Sequence, residues 1–485
     1  MSGARTLGVV GAGPMGAGIA QVGLTAGLDV ILYDLSGDAL DKTAGEIEKR
    51  IARMVEKGQL PQGAVEDAKS RLTLAGDLAQ FAPADFVVEA IIERLEPKQE
   101  LFAALEAIVA DDVTLATNTS SLSVAAIAKK CAHKERVCGL HFFNPVPLMK
   151  LVEVIVAPLT SQETAERATA VTELLGKVPV TVKDGPGFLV NLQGRAYTTE
   201  GLAIVQEGVA DPATVDRIMR DGAGFRMGPF DLLDLTGIDV NYPVTTFIYE
   251  GYQHDPRLKT TTLHALMADA GLYGRKTGRG FYDHSEGAVP PPASEPSGRV
   301  LRPRLAESSS EWAALGDVET GEDVNLVAPV GEDCSTACHR LGLDPRNTVA
   351  IDFTAADRKH LTVMAAPGGG HKAQEVADWL RGLGFVVEVI KDSPGFVLQR
   401  ILAMVANLAC ELAQIGVGTP EDIDTAMKLA QNYPLGPLEW AEKLGVEKTY
   451  RIMCALQEIT GSDRYRPSLW LRRRALLGLP AHTKD

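Results

Sequence analysis

His141 and Glu153 stand twelve residues apart on two consecutive apolar segments, 136–142 and 150–157. Either side chain is costly to bury alone, because a core offers it no compensating hydrogen bond. On adjacent strands of a hairpin the two would meet. The carboxylate would then fix the imidazole tautomer and raise its basicity. Such an imidazole can take a proton from an alcohol, worth roughly 10²–10⁴-fold in rate. Ser120, in Asn118-Thr119-Ser120-Ser121, and Asn191 are neutral polar groups able to hold a substrate oxygen; each taken alone is a cap or turn residue. A hydrolytic Ser-His-Glu triad is the weaker reading, since Ser120 lacks a G-x-S-x-G turn. Cys334-x-x-x-Cys338-His339 has no second ligand cluster, so no metal is expected.

Residues 5–34 point to a dinucleotide as the reaction partner. Leu7–Val10 is a short apolar run, and Gly11-Ala12-Gly13-Pro14-Met15-Gly16 is a G-x-G-x-x-G. A helical segment then runs to Ala26, and a second apolar run, 30–33, ends on Asp34. Strand, glycine turn, helix, strand and acid in that order make a dinucleotide-binding fingerprint. Gly11 permits the tight turn, Gly13 lets the backbone approach a pyrophosphate, and Gly16 lets the helix pack on the strand. The helix start at Pro14 and Met15 offers free N–H groups and a positive dipole end. Asp34 lies 23 residues after Gly11, where a carboxylate accepts from an adenosine ribose hydroxyl. Beside a 2′-phosphate it would cost up to about 4 kcal/mol per charge pair, so NAD is expected rather than NADP. A flavin-binding or purely structural turn is the competing reading.

The elements that must position these groups alternate. Strands are expected at 71–75, 85–90, 113–116, 136–142, 150–157 and 178–182, with helices at 38–57, from Pro97 to about 110, at 123–131 and at 161–176. This predicts an α/β Rossmann-type domain over 1–183, with Asn118 and Ser120 just past a strand end at its ligand edge. Lys49 and Lys57, with Lys42, Arg50 and Arg53, either form a solvated helix face or meet a phosphate-bearing substrate. From 184 to 284 the pattern turns helical, and the proline-rich stretch 285–299 is expected to be a linker. The helical pattern then returns. KDGPGFLVN at 183–191, GVADPATVD at 208–216 and MGPFDLLDLTG at 227–237 recur as KDSPGFVLQ, GVGTPEDID and LGPLEWAEKLG, all at one offset of 208. Residues 391–485 are therefore expected to form a second, degenerate all-α domain, with Gln399 in place of Asn191. Residues 300–390 lack a glycine fingerprint and suggest a reduced α/β remnant.

A chain of 485 residues with 45% hydrophobic content has room for about three domains. A net charge of −15 disfavours nucleic acid or an anionic membrane as partner, and no run reaches transmembrane length. Six scattered cysteines suit a reducing cytoplasm. The first strand starts close to Met1, so no leader segment is expected.

In order, GAGPMGAGIAQ, VVEAIIERLEPK, NTSSL, HFFNPVPLMKLVEV and KDGPGFLVN resemble the L-3-hydroxyacyl-CoA dehydrogenase family over residues 5 to about 284. The repeated helical domain, with RYRPS at 464–468, resembles the longer bacterial members, the 3-hydroxybutyryl-CoA and phenylacetate-pathway 3-hydroxyadipyl-CoA types. The resemblance implies reversible NAD-dependent oxidation of a (3S)-3-hydroxyacyl-CoA. It implies His141 as base, Glu153 as its partner, and Ser120, Asn144 and Asn191 as substrate contacts. Asp34, Glu93, Lys98 and Asn118 match cofactor-contacting positions, and Lys49 and Lys57 are candidates for the CoA phosphates. Family members often follow the asparagine with arginine, whereas Leu192 and Gln193 stand here, with Arg195 nearby. A noncatalytic protein of the same fold, and a dehydrogenase of a free 3-hydroxy acid using Lys183, are the alternatives. The second copy imitates a dimer within one chain, and a homodimer of the whole chain stays open.

Overall fold

The computed structural model describes residues 5–285 and 300–485, so nearly all of the expected linker lies outside the described residues. Two compact units emerge. One runs to Val190 and includes Gly416–Gln431; the other comprises Asn191–Ile415 and Asn432–Asp485.

The first unit is built on eight strands: β1 (Thr6–Val10), β2 (Asp29–Tyr33), β3 (Leu72–Ala75), β4 (Phe86–Glu89), β5 (Thr114–Thr117), β6 (Val137–Phe142), β7 (Leu151–Val156) and β8 (Val178–Lys183). Their order is β3-β2-β1-β4-β5-β6-β7-β8. Every neighbouring pair is parallel except β6 and β7. Parallel strands are covered on both faces, which is why β1, β4 and β5 are buried almost end to end rather than at alternate residues. Strand order reverses between β1 and β4, and the crevice at that switch point is where such sheets bind ligands. Helix Pro14–Thr25 follows β1 directly. Helix Gly37–Glu56 is capped by the Ser36 hydroxyl and turns Leu40, Thr43, Ile47 and Ile51 inward.

The second unit carries five strands: β9 (Arg304–Leu305), β10 (Asn325–Val327), β11 (Thr348–Asp352), β12 (His360–Met364) and β13 (Val386–Val389). Their order is β13-β12-β11-β10-β9, with only β11 and β12 antiparallel. This repeats, pair by pair, the order and directions of β4 to β8. Among the described residues nothing corresponds to β1–β3, the half that holds the glycine turn. The rest of this unit is helical, centred on the buried helix Leu398–Gln414. The Gln193 amide donates to the Val405 carbonyl at 2.8 Å, joining the two helical copies.

At that junction Glu200 is fully buried between two arginines, Arg400 at 2.5 Å and Arg464 at 2.8 Å. Burial would raise the Glu200 carboxyl, but the two guanidinium groups hold it at about 2. Arg400 also pairs with Glu207 at 2.7 Å. Its repeat mate is Leu192, so this arginine survives only in the second copy. Removing one member of a buried ion pair costs about 3–5 kcal/mol, because the partner charge stays buried. Arg400→Leu is therefore expected to lower the thermal midpoint of the full chain by several degrees. Calorimetry checks this, and an unchanged midpoint would show the pair to be dispensable.

Candidate active site

The antiparallel register of β6 and β7 sets His141 directly opposite Glu153. His141 Nδ1 lies 2.6 Å from Glu153 Oε2. The other carboxylate oxygen, Oε1, accepts from the N–H groups of Leu189 at 3.0 Å and Val190 at 2.9 Å. Glu153 is completely buried, and its charge is met by these three donors. An acceptor at Nδ1 places the imidazole proton there and leaves Nε2 as the free base. Nε2 has no protein partner among the described residues. Phe143 and Phe188 flank the ring at 4.6 and 5.7 Å between centroids. Phe188 has φ +49°, a left-handed conformation held by the turn that follows Gly185-Pro186-Gly187. The roles of Leu189 and Val190 escape sequence reasoning, because they act through backbone N–H groups; the Pro-Gly-Phe turn is the only signal of them.

The serine loop is tied to the same edge. The Asn118 side-chain oxygen accepts from Phe142 N–H at 2.8 Å, joining the ends of β5 and β6 beside His141. Glu93 Oε1 accepts from the Thr119 hydroxyl at 2.6 Å, Ser120 N–H at 2.9 Å and the Ser121 hydroxyl at 2.9 Å. Ser120 is exposed, with its backbone anchored and its hydroxyl 3.5 Å from Glu93. Lys98 lies beneath this loop. It is 1% exposed, and its ammonium is taken by Glu89 at 2.6 Å and Glu93 at 3.2 Å. It therefore fixes Glu93 from beneath. Thr117 completes this buried network by donating to Glu89 at 2.7 Å.

The glycine turn fits a dinucleotide. A Cβ at Gly16 would lie 1.8 Å from the Gly11 carbonyl oxygen, so only glycine allows this approach. Gly11 has φ +110°. At Gly13 a Cβ would meet nothing within 4 Å, which leaves the backbone open to a ligand. No side chain caps helix Pro14–Thr25 and no acid lies in its first turn, so the N–H groups of Met15 and Gly16, ahead of the first helical bond from Ala17 N–H to the Gly13 carbonyl, are left for phosphate. Asp34 accepts from Ala12 N–H at 2.8 Å and Ser36 N–H at 3.0 Å, which points its carboxylate at the end of β2 where a ribose would sit.

Asn144 is exposed just past β6. The loop it opens is pinned by Lys177, a buried residue not anticipated from the sequence, whose ammonium donates to the carbonyls of Val146 at 2.6 Å and Met149 at 2.8 Å. Lys49, within the C-terminal half of helix Gly37–Glu56, and Lys57, its cap, are exposed, without a carboxylate partner among the described residues. Asn191 opens the second unit, one residue after Val190.

The second sheet shows what became of this site in the repeat. Val180 and Glu388 are repeat mates at the offset of 208; Val180 faces Glu153, and Glu388 faces Thr362. Across the hairpin His141 faces Glu153, and Asp352 faces Thr362. The positions of His141, Glu153 and Asn191 are thus held by Asp352, Thr362 and Gln399. The Gln399 amide donates to Asp352 at 3.0 Å, and burial pushes the Asp352 carboxyl up. No imidazole stands in this second pair, so of the two β-hairpins only the first carries a buried histidine facing a glutamate.

Comparison with known proteins agrees with this geometry. Residues 6–185 match the family model for the 3-hydroxyacyl-CoA dehydrogenase NAD binding domain, and residues 187–284 and 395–484 match that for the C-terminal domain. The chain is 39% identical over 474 residues to 3-hydroxyadipyl-CoA dehydrogenase of Escherichia coli, covering 98% of each chain. The chain belongs to the 3-hydroxyacyl-CoA dehydrogenase family. A crystal structure titled as 3-hydroxybutyryl-CoA dehydrogenase of Escherichia coli shares 39% identity and a TM-score of 0.90, again over 98% of each chain. The human mitochondrial hydroxyacyl-coenzyme A dehydrogenase is 41% identical over 290 residues, which covers 57% of this chain and 90% of that protein. The family's members are NAD-dependent oxidoreductases, and the Rossmann-type unit followed by helical copies is their fold. Among the described residues no helix is long and apolar enough to cross a membrane.

In this dehydrogenase the serine loop depends on Glu93. Burial would raise its carboxyl, but the Thr119 hydroxyl, the Lys98 ammonium and Ser120 N–H outweigh that and hold it at about 2, against an ordinary 4.5. A depressed folded value contributes stability that is present above about pH 4.5 and lost as pH falls toward 2. The stability gap between wild type and Glu93→Gln is expected to be full at neutral pH and to close across that window. Thermal midpoints measured down the acid range check this.

Proposed function

We propose that this enzyme reversibly oxidises the 3-hydroxyl of a (3S)-3-hydroxyacyl-CoA, either 3-hydroxybutyryl-CoA or 3-hydroxyadipyl-CoA. The observation that carries the reading is the His141–Glu153 pair at the ligand edge of a dinucleotide-binding sheet. NAD, when bound, supplies the hydride acceptor. Gly11, Gly13 and Gly16, with the helix that starts at Pro14 and Met15, would hold its pyrophosphate, and Asp34 would accept from its ribose hydroxyl. His141 Nε2 accepts the proton of the substrate hydroxyl. Glu153 offsets the charge that then develops on the imidazolium, at no reorganisation cost, because its three donors are already in place. Ser120 and Asn191 hold the 3-oxygen, and Asn144 borders the acyl group. Lys49 and Lys57 are free cations for the CoA phosphates. In the direction of reduction the same imidazolium is the acid.

The full-length relatives carry two different names, 3-hydroxyadipyl-CoA and 3-hydroxybutyryl-CoA dehydrogenase. The test is therefore NADH oxidation with acetoacetyl-CoA beside 3-oxoadipyl-CoA, with free acetoacetate as control. Dependence on the thioester supports the reading. Activity on free acetoacetate alone would replace it with a hydroxy-acid dehydrogenase, and inactivity on all three with a noncatalytic protein. His141→Gln is expected to lose at least about 10²-fold in kcat, the scale of general acid–base catalysis, while NADH still binds. Near-normal turnover in that variant would remove His141 from the chemistry.

A further inference from the structure

Helix Pro420–Gln431 belongs by sequence to the second helical copy, yet it folds into the first unit. It packs on β7 and β8, and β7 is the strand that carries Glu153. Val417, Pro420, Ile423, Ala426 and Met427 are all buried. The segment is tied to the sheet by Lys183 N–H, which donates to the Val417 carbonyl at 2.9 Å. A side chain at Gly418 would sit 3.6 Å from the Leu189 methyl Cδ2, so the chain passes close to the Leu189 side chain. At the other end of the helix the Gln431 side-chain amide donates to the Val190 carbonyl at 3.3 Å. Leu189 and Val190 are the residues whose N–H groups hold Glu153.

The second unit contains the counterpart of this arrangement. Lys391 and Val209, the repeat mates of Lys183 and Val417, make the same backbone bond at 3.0 Å. Beside them Arg217, on the matching helix of the first copy, pairs with Glu388 on β13 at 2.7 Å. Each helical copy thus lends this helix to the other copy's sheet. In the second unit the loan ends on a sheet with Asp352 and Thr362 at the paired positions. In the first it ends at the turn that fixes the catalytic carboxylate.

We propose that helix Pro420–Gln431 is a positioning element of the active site, and that Gln431 is the positioning residue that steadies the Leu189–Val190 turn on Glu153. The degenerate copy is then retained as working structure and not only as a substitute for a partner subunit. This rests on reading His141 and Glu153 as the acid–base pair. Through the turn, Gln431 acts on kcat without touching substrate or cofactor.

The test uses the full-length enzyme as wild type, Gln431→Met and Gln431→Lys, with acetoacetyl-CoA and NADH. Methionine keeps the size and loses the donor; lysine restores a donor. Gln431→Met is expected to lower kcat about fivefold with the KM for NADH within about twofold of wild type, and Gln431→Lys to recover most of the loss. Amide hydrogen exchange at Leu189 and Val190 is expected to accelerate about tenfold in Gln431→Met while β1 stays protected. Wild-type kcat together with wild-type exchange at these two amides overturns the proposal. So does a general acceleration across the first unit that lysine does not reverse, because Gln431 would then be merely structural. If the wild type turns over neither acetoacetyl-CoA nor 3-oxoadipyl-CoA, the assignment of the pair fails instead, and local exchange still decides whether Gln431 holds the turn.

Discussion

A carboxylate with no exposure to water is the constraint on which the rest of the site depends. Glu153 can be buried only because three donors meet it: His141 Nδ1 across the hairpin, and the N–H groups of Leu189 and Val190 at the end of the next connection. The first donor requires β6 and β7 to be antiparallel and in one register, since a slip by one residue would turn both side chains to opposite faces. The other two require the chain after β8 to double back, which costs a left-handed Phe188. The same burial that makes Glu153 expensive makes it useful, because its field on the imidazole is not diluted by water.

Around that pair the fold repeats a plan twice and keeps it once. The second sheet preserves the order and directions of β4 to β8, and the second Pro-Gly-Phe turn preserves the left-handed phenylalanine at Phe396. Among the described residues it lacks a counterpart of the dinucleotide half, the imidazole and the asparagine. Exchange of side chains went both ways: Arg400, which anchors Glu200 and Glu207, has only leucine in the first copy. Once two copies share a chain they no longer need to be equivalent. The His141–Glu153 pair stands in one, and the arginine that anchors Glu200 and Glu207 in the other.

The strand–turn–helix of residues 5–34, the alternation to Lys183 and the repeat at an offset of 208 were all readable from residue types and spacing. So was the hairpin that brings His141 to Glu153, because both are polar residues stranded in apolar runs. The fate of the second site was not readable. The turn and the following helices hold the offset, but the loop between the hairpin strands does not. His141 plus 208 is Val349, whereas the register places Asp352 there. Nor does position in a motif reveal that the Lys98 ammonium is turned inward to Glu89 and Glu93. The donors on Glu153 were invisible because backbone N–H groups carry no residue signature.

The central claim is that Glu153 orients a neutral imidazole with its proton on Nδ1, leaving Nε2 to take the substrate proton. Imidazole nitrogen NMR on the enzyme labelled at histidine, recorded with NAD bound and at a pH where His141 is neutral, reads this directly. The account predicts a protonated Nδ1, with its proton shifted downfield by the short bond to Glu153, and a bare Nε2. A proton on Nε2 and a bare Nδ1 would contradict it.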